Sequence, residues 1–367
     1  MRILIAAGGT GGHVYPALAV AAALPELCPQ VELHFAGSGG LEEKLVARAD
    51  VPFADCHAIP AGPVAGVSWP RRLVSLFRLA LGLVIALWLL LRLRPHSLLL
   101  TGGWSNLPVA LAAWLLRVPS LVFLPDIEPG ATIRLLRRFV SRVAVTVPES
   151  ERWFPDVPTV VTGYPLRQQF MAATRAEGQA HFGLDPQRRV LLVFGGSRGA
   201  RSINRALQSI LPQLLADGFQ VLHVSGVLDW PEIESRRDAL PDASAYHAFP
   251  YLHHEMGQAQ AAADLALSRA GASVLGEFPF VGLPAVLVPY PWAWRYQKTN
   301  ADWLEARGAA LTLEDAKLET QLLPTLRALL QDEERLQRMR RASSALAAPD
   351  GARKLARELL DLAGSHA

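Results

Sequence analysis

Short apolar runs that end in a turn and give way to Ala/Leu-rich stretches recur along this chain. RILIAA, VELHFAG, SLLLTGG, SLVFLP and VAVTV lie before residue 150, and VLLVFGG, VLHVSG, LALSRAG and PAVLVPY after it. Strands this uniformly apolar need cover on both faces, and the helices between them supply it. The pattern therefore predicts an α/β protein with parallel sheets. The two halves echo each other: strand, Gly-Gly, helix and a second strand ending in AG or SG occupy 2–37 and again 190–226. Two Rossmann-like domains are expected rather than one long sheet, and 367 residues is the length for two. The seam is placed near VVTGYPLR, 160–167, where turn residues interrupt the periodicity. That divides the chain into 1–163 and 164–345. The tail reads as two helices broken around Pro349 to Gly351, the last of them, about 346–367, packing back on the first domain.

Composition narrows the class. Half of the chain is apolar and the formal charge is +3, carried mostly by arginine, since lysine occurs only at 44, 298, 317 and 354. This is not the dense basic stripe of a nucleic-acid binder; it suits an anionic small substrate or an acidic membrane surface. Cys28 and Cys56 alone rule out a disulfide framework or a Cys-rich zinc site, and a reducing, cytoplasmic setting is expected. The start, MRILIAA, reads as a strand rather than as a cleavable leader. One segment stands apart: LALGLVIALWLLL, 79–91, is uncharged and flanked by Arg71, Arg72, Arg78, Arg92 and Arg94. A bilayer span needs roughly 20 apolar residues. The segment reads as a helix buried in the core or presented to a membrane interface with its arginines at the headgroups, and less readily as a true span.

The chemistry is expected in the loops. GGTGGH, 8–13, follows the first strand and leads into a helix, offering bare backbone N–H groups and the positive end of a helix dipole, to which a pyrophosphate is the natural ligand. GGSRGARSIN, 195–204, repeats the arrangement. A dinucleotide fold would also carry an acid at the end of the second strand. This chain has Gly37 and Ser38 in one half and Ser225 and Gly226 in the other, so neither supports NAD or FAD, and no G-K-[ST] marks a P-loop. The plain alternative is that the glycines only permit tight turns.

His13 closes the first loop just before Pro16, a residue suited to a first helical turn. A helix N-terminus disfavours the imidazolium, so His13 is expected to be neutral and able to accept a proton, unless it is merely a structural hydrogen-bonder. In 268–300, Arg269 sits where a strand meets a glycine turn and can clamp a phosphate. Glu277 follows in a helix where a carboxylate can take both ribose hydroxyls, and Gln297 and Asn300 offer amides of the kind that read sugar hydroxyls. Singly, Arg269 and Glu277 could be a salt bridge, and the amides solvated surface. Together they describe a nucleotide-sugar pocket.

GGTGGHVYPALAVA, GGSRGARSIN, SRAGASVLGE, GLPAVLVPY and RYQKTNA, in order from residue 3 to about 310, resemble the MurG-type glycosyltransferases of glycosyltransferase family 28. The resemblance implies a GT-B fold, two Rossmann-like domains facing across a cleft. It implies transfer of N-acetylglucosamine from UDP to the C4 hydroxyl of undecaprenyl-diphospho-N-acetylmuramoyl-pentapeptide, in peptidoglycan synthesis at the cytoplasmic face of the membrane. It also implies the site. Gly9, Gly11, Gly12 and His13 would face the acceptor, with Gly102, Gly103, Trp104 and Ser105 as a second acceptor loop. The donor would meet Thr10, Gly11, Gly12, Arg167, Ser197, Arg198, Gly199, Arg269, Gly271, Ala272 and Glu277, its uracil the backbone near Leu252, and its sugar Gln297 and Asn300. Residues 73–93 would form a membrane-facing patch, and cell-wall synthesis proteins would be candidate partners.

The chain departs from the family where His-Glu-Gln-Asn is usual before Pro-Gly: here Phe123, Leu124, Pro125 and Asp126 stand. Trp104 replaces a tyrosine, and Tyr164-Pro165 an Asn-Pro. Donor identity is therefore better supported than acceptor identity. The chemistry expected is an inverting displacement with His13 as general base and Asp126 or a nearby water as second choice. Loop amides and Arg269 would stabilise the departing diphosphate, so no cofactor or essential metal is expected. Rival readings are a transferase acting on another lipid such as diacylglycerol, a UDP-GlcNAc 2-epimerase, and a non-catalytic UDP-sugar-binding partner of a membrane enzyme.

Overall fold

The computed structural model describes every residue except Thr10, Ala65, Ser197, Arg198, Pro241, Asp242, 292–295 and 365–367, and the side chain of Leu41. The expectations placed on Thr10, Ser197 and Arg198 lie outside the described residues. Contacts divide the chain into two units, Met1–Arg167 with Ala348–Ala367, and Gln168–Ala347.

The first unit is built on a sheet of seven parallel strands: β1 (Arg2–Ala6), β2 (Glu32–Gly37), β3 (Phe53–Ala58), β4 (Ser97–Leu100), β5 (Ser120–Leu124), β6 (Arg142–Val145) and β7 (Thr159–Val161). Their order is β3-β2-β1-β4-β5-β6-β7. The second unit has six: β8 (Val190–Phe194), β9 (Gln220–Val224), β10 (Tyr246–Phe249), β11 (Leu265–Ser268), β12 (Ala285–Leu287) and β13 (Ala310–Thr312), in the order β10-β9-β8-β11-β12-β13. Every pairing in both is parallel. Each sheet thus reverses its winding once, between β1 and β4 in one unit and between β8 and β11 in the other. In open α/β sheets the strand ends at that reversal splay two loops apart, and ligands bind there.

Four strands are absent from the pattern of apolar runs: β3, β7, β10 and β13. All four are sheet edges. An edge strand has a neighbour on one side only, so it is short or polar rather than a continuous apolar run. β3, FADCHA, is largely exposed, and β7 and β13 have three residues each.

The helix Gly11–Leu27 is apolar nearly all round because most of it is covered, by the sheet and by the C-terminal helix Gly351–Gly364. That last helix is tied in by Ser97 Oγ, which donates to the Leu359 carbonyl at 2.9 Å, and by ion pairs of Arg142 with Glu358 and Arg353 with Glu26. The apolar segment at 79–91 is part of a longer helix, Trp69–Leu93. It is partly buried and partly exposed, and by length and composition it is long and apolar enough to cross a membrane. One stripe, Ser75, Gly82, Ala86, Leu89, Leu90 and Leu93, is buried, and the helix packs on Asn106–Leu115. The opposite stripe, including Trp69 (74 %), Phe77 (72 %) and Trp88 (60 %), is exposed.

Candidate active site

In the first unit, the chain leaves β1 through Ala7, Gly8 and Gly9 and enters its helix at Gly11. His13 therefore lies in the first helical turn, not in the loop before it. The chain leaves β4 through Thr101, Gly102, Gly103, Trp104 and Ser105. The two loops are packed backbone against backbone. Gly103 has φ +91°, and a Cβ there would sit 2.5 Å from the Gly8 carbonyl oxygen; a Cβ on Gly8 would in turn sit 2.2 Å from Ser105 Oγ. Gly102 leaves room for the imidazole, since a Cβ would lie 2.8 Å from His13 Cδ2. Asn106 closes the second loop by donating from Nδ2 to the Gly102 carbonyl at 2.7 Å.

His13 Nδ1 lies 3.1 Å from the Gly8 carbonyl oxygen. A carbonyl only accepts, so Nδ1 carries the proton and Nε2 is the basic nitrogen. Withdrawal of the ring from water lowers its pKa below the ordinary 6.5, and the hydrogen bond to Gly8 offsets this only in part. Burial, rather than the helix end expected from the sequence, is the leading cause. Asp126 follows β5, the next strand along from β4, and is half-buried; Thr146 Oγ1 holds its turn through the Leu124 and Pro125 carbonyls at 3.0 and 2.9 Å. Phe123 and Leu124, where the family pattern has polar residues, are the end of β5 and fully buried. Arg167 stacks over Tyr15 at 4.2 Å, and Tyr15 in turn borders Gly11.

In the second unit, β8 leads through Gly195, Gly196, Gly199 and Ala200 into the helix Arg201–Ala216, whose N-terminus has no side-chain cap. A Cβ on Gly199, at φ +80°, would lie 2.2 Å from the Ser225 carbonyl oxygen, so this loop is pressed against the end of β9. The contact is backed by a buried relay that sequence reasoning missed. Gln208 donates to Tyr246 Oη at 2.9 Å, Tyr246 to His223 Nδ1 at 2.8 Å, and His223 Nε2 to Asn204 Oδ1 at 3.0 Å. Asn204 Nδ2 then donates to Ser225 O and Asp229 Oδ2, and Asp229 pairs with Arg201 at 2.9 Å. Burial lowers His223 to about 3 and raises Tyr246 to about 12. The residue types alone hold no signal of this chain, because its members lie on different elements.

Beyond β11, two of the residues expected to meet the donor are tied into the second unit. Arg269 has its guanidinium among side chains and carbonyls of the second unit. It bonds Asp315 Oδ1 at 2.6 Å, Ser202 Oγ at 2.7 Å and the Val288 carbonyl at 3.1 Å, stacks on Tyr290, and has a side chain only 10 % exposed. It braces the strand ends. Asn300 is 0 % exposed and donates to the Ala270 carbonyl at 3.1 Å, next to the Gly271–Ala272 turn. Gln297 is half-buried, and its carboxamide oxygen accepts from Tyr290 N–H at 2.9 Å. Glu277 opens the helix Glu277–Val281 and is oriented by Gln260 Nε2 at 2.9 Å, a partner given away by nothing in its Ala-rich segment. Leu252 is buried and anchors the loop after β10. Among the described residues no group of three or more His, Cys, Asp or Glu is placed to hold a metal.

Residues 3–145 match the glycosyltransferase family 28 N-terminal domain and 190–355 the glycosyltransferase family 28 C-terminal domain. A relative from Chlorobium luteolum, UDP-N-acetylglucosamine–N-acetylmuramyl-(pentapeptide) pyrophosphoryl-undecaprenol N-acetylglucosamine transferase, is 41 % identical over 377 residues, covering 100 % of both chains. A protein of the same name from Roseiflexus sp. is 40 % identical, covering 97 % of this chain and 94 % of its own. The crystal structure of MurG from Acinetobacter baumannii superposes with a TM-score of 0.74 at 25 % identity, over 98 % and 99 % of the two chains. A UDP-GlcNAc 2-epimerase from Neisseria meningitidis, bound to UDP-GlcNAc, reaches 0.70 at 14 % over 98 % and 100 %, a likeness of fold alone. Both halves are matched, in order, by the two domain models of one family, and relatives align along the whole length: the chain belongs to glycosyltransferase family 28.

Proposed function

We propose that this chain transfers N-acetylglucosamine from UDP-GlcNAc to the C4 hydroxyl of the muramoyl-pentapeptide carried on undecaprenyl diphosphate. The observation that carries this reading is the name shared by relatives 38–41 % identical along essentially the whole chain. The geometry supplies matching parts. The glycine loops after β1 and β4 meet at the winding reversal of the first sheet, where they suit the acceptor's diphosphate. The uncapped helix start after Gly199 suits the diphosphate of UDP, and Glu277 suits the ribose.

In the reaction, the C4 oxygen attacks the anomeric carbon, the bond from that carbon to the diphosphate oxygen breaks, and UDP departs with the electron pair. The configuration inverts. His13 Nε2 takes the C4 proton, which its Nδ1–H tautomer and lowered pKa allow at neutral pH. Backbone amides near Gly199 and the dipole of the Arg201–Ala216 helix, rather than a metal, stabilise the negative charge on UDP. Arg269 acts through the loops it braces.

The exposed stripe of Trp69–Leu93 and its arginines lie on an anionic membrane surface in this reading, holding the enzyme peripherally at the cytoplasmic face. The docked opposite stripe argues against a span. Incubation with UDP-GlcNAc and the undecaprenyl-linked muramoyl-pentapeptide tests the whole: the disaccharide lipid is expected. A glycosylated diacylglycerol, free epimer or no turnover would replace the reading.

A further inference from the structure

Two aspartates from distant parts of the chain meet the start of the helix Arg201–Ala216, and the reaction above uses neither. Asp229, 7 % exposed, accepts from Asn204 Nδ2 and pairs with Arg201. Asp315 lies in the turn Asp315–Lys317 after β13. Its Oδ1 accepts both from Ser202 Oγ at 2.7 Å and from Arg269 Nη1 at 2.6 Å. Arg269 Nη2 donates to the same Ser202 Oγ at 2.7 Å, so the three side chains close a ring. It is largely dry, with the side chains of Arg269 and Asp315 10 % and 21 % exposed.

A ring that only braced the fold would not need ions. Taking an ion pair out of water costs about what the pair returns, and apolar side chains of similar size serve stability as well or better. What lies beside the ions accounts for them. The first turn of a helix has N–H groups without intrahelical partners and carries the positive end of the dipole, and here Ala200 supplies no side-chain cap. That end attracts a carboxylate as readily as a diphosphate. Asp315, anchored to the second residue of the helix, is a resident anion at an anion-binding end. Left bare, its charge would repel the ligand that the amides attract. Arg269 cancels it, as Arg201 cancels Asp229.

Resting on the donor site assigned above, we infer that Asp315 and Arg269 are a matched pair of positioning residues for the diphosphate of UDP. Asp315 fixes the start of the helix through Ser202, and Arg269 serves the ligand by cancelling the charge of Asp315 rather than by bonding a phosphate. The balance of the pair, and not the guanidinium alone, sets the affinity.

The test is a double-mutant cycle on UDP affinity, by calorimetry with a chelator present so that no divalent ion screens the diphosphate. Uridine, which lacks the phosphates, is the control probe. Arg269→Gln leaves Asp315 uncompensated and should weaken UDP binding about tenfold or more, the cost of setting like charges side by side. Asp315→Asn keeps an acceptor for Ser202 while leaving the arginine unmatched, so it should bind UDP as tightly as wild type or more tightly. The double variant carries neither charge and should return to within about threefold of wild type. Uridine should bind all four proteins alike. A double variant as weak as Arg269→Gln overturns the inference, because the guanidinium then bonds the diphosphate itself. Loss of uridine binding along with UDP in Arg269→Gln also overturns it, since the ring would then only brace the fold. If Arg269→Gln does not fold, Asp315→Asn decides alone: UDP binding about tenfold weaker overturns the inference, and unchanged or tighter binding supports it. Failure of wild type to bind UDP overturns the donor reading and the matched pair with it, whereas UDP binding without rescue in the double variant overturns the pair alone.

Discussion

His13 shows how far one residue's chemistry is set by its neighbours. The Gly8 carbonyl decides which nitrogen is basic, and burial decides when it is neutral. His13→Ala is expected to lower kcat about 100- to 10,000-fold with donor affinity barely changed. In wild type, kcat should fall as the pH drops and the base becomes protonated, with the midpoint below 6.5 because the pKa is lowered. A variant retaining a tenth or more of wild-type kcat would leave His13 a structural role and move attention to Asp126. On the donor side, Glu277→Ala should weaken UDP binding roughly 10- to 150-fold, the cost of charged hydrogen bonds at about 1.5–3 kcal/mol. Gln260→Leu, which touches UDP in no part of the proposal, should weaken it less, because it frees Glu277 to rotate. Calorimetry showing unchanged affinity in both would remove the carboxylate from the site. A residue's place in the fold is legible where it follows from the local pattern, as for His13 after Gly-Gly or Glu277 after SRAG. A residue's partners are not legible where they come from far along the chain. Arg269 is satisfied by Asp315, 46 residues on, and Asn300 by Ala270, 30 residues back, and nothing in either segment announces those distances.

At the scale of elements, every interior strand of both sheets was legible as an apolar run, because burial on two faces leaves no room for polar alternation. The four edge strands were not, since pairing on one side imposes no such demand. The relay from Gln208 to Asp229 was equally hidden, yet it fixes the end of β9 against the Gly199 turn. It also makes the second unit sensitive to acid. Above about pH 6.5, His223 is neutral both folded and unfolded and its stabilising effect is complete. Below that, the unfolded chain takes up a proton that the folded state refuses until about pH 3. Stability should therefore fall by roughly 1.4 kcal/mol per pH unit from this one group. Denaturant titrations of wild type and His223→Gln should show the steeper pH dependence only in wild type. Parallel curves would mean that His223 is protonated in the folded protein and that the relay runs in another sense.

For the whole molecule, the decisive asymmetry is on one helix. Trp69–Leu93 spends its small residues, Ser75, Gly82 and Ala86, on the inner stripe, where Gly82 lets the Pro60 carbonyl approach to within 2.2 Å of where a Cβ would stand. It turns Trp69, Leu73, Phe77, Val84, Trp88 and Leu91 outward. A soluble fold gains nothing by exposing its largest side chains in a row, and a contiguous apolar face rimmed by Arg71, Arg72 and Arg78 has the make-up of an interfacial helix. Two forces then act together. Each arginine near an anionic surface contributes about 1 kcal/mol and is screened by salt. Each inserted aromatic contributes on the order of 1.5–3 kcal/mol when fully buried and is not screened. The protein should sediment with anionic vesicles, be released only in part by raised salt, and bind neutral vesicles more weakly. Phe77→Gln with Trp88→Gln should cut partitioning by on the order of tenfold or more, even if only half of the burial energy is realised. Because both side chains point away from the domain, its melting temperature should hardly move. Unchanged sedimentation of that variant would show that the exposed stripe meets something other than lipid, and a large loss of melting temperature would show that the stripe is packed in solution.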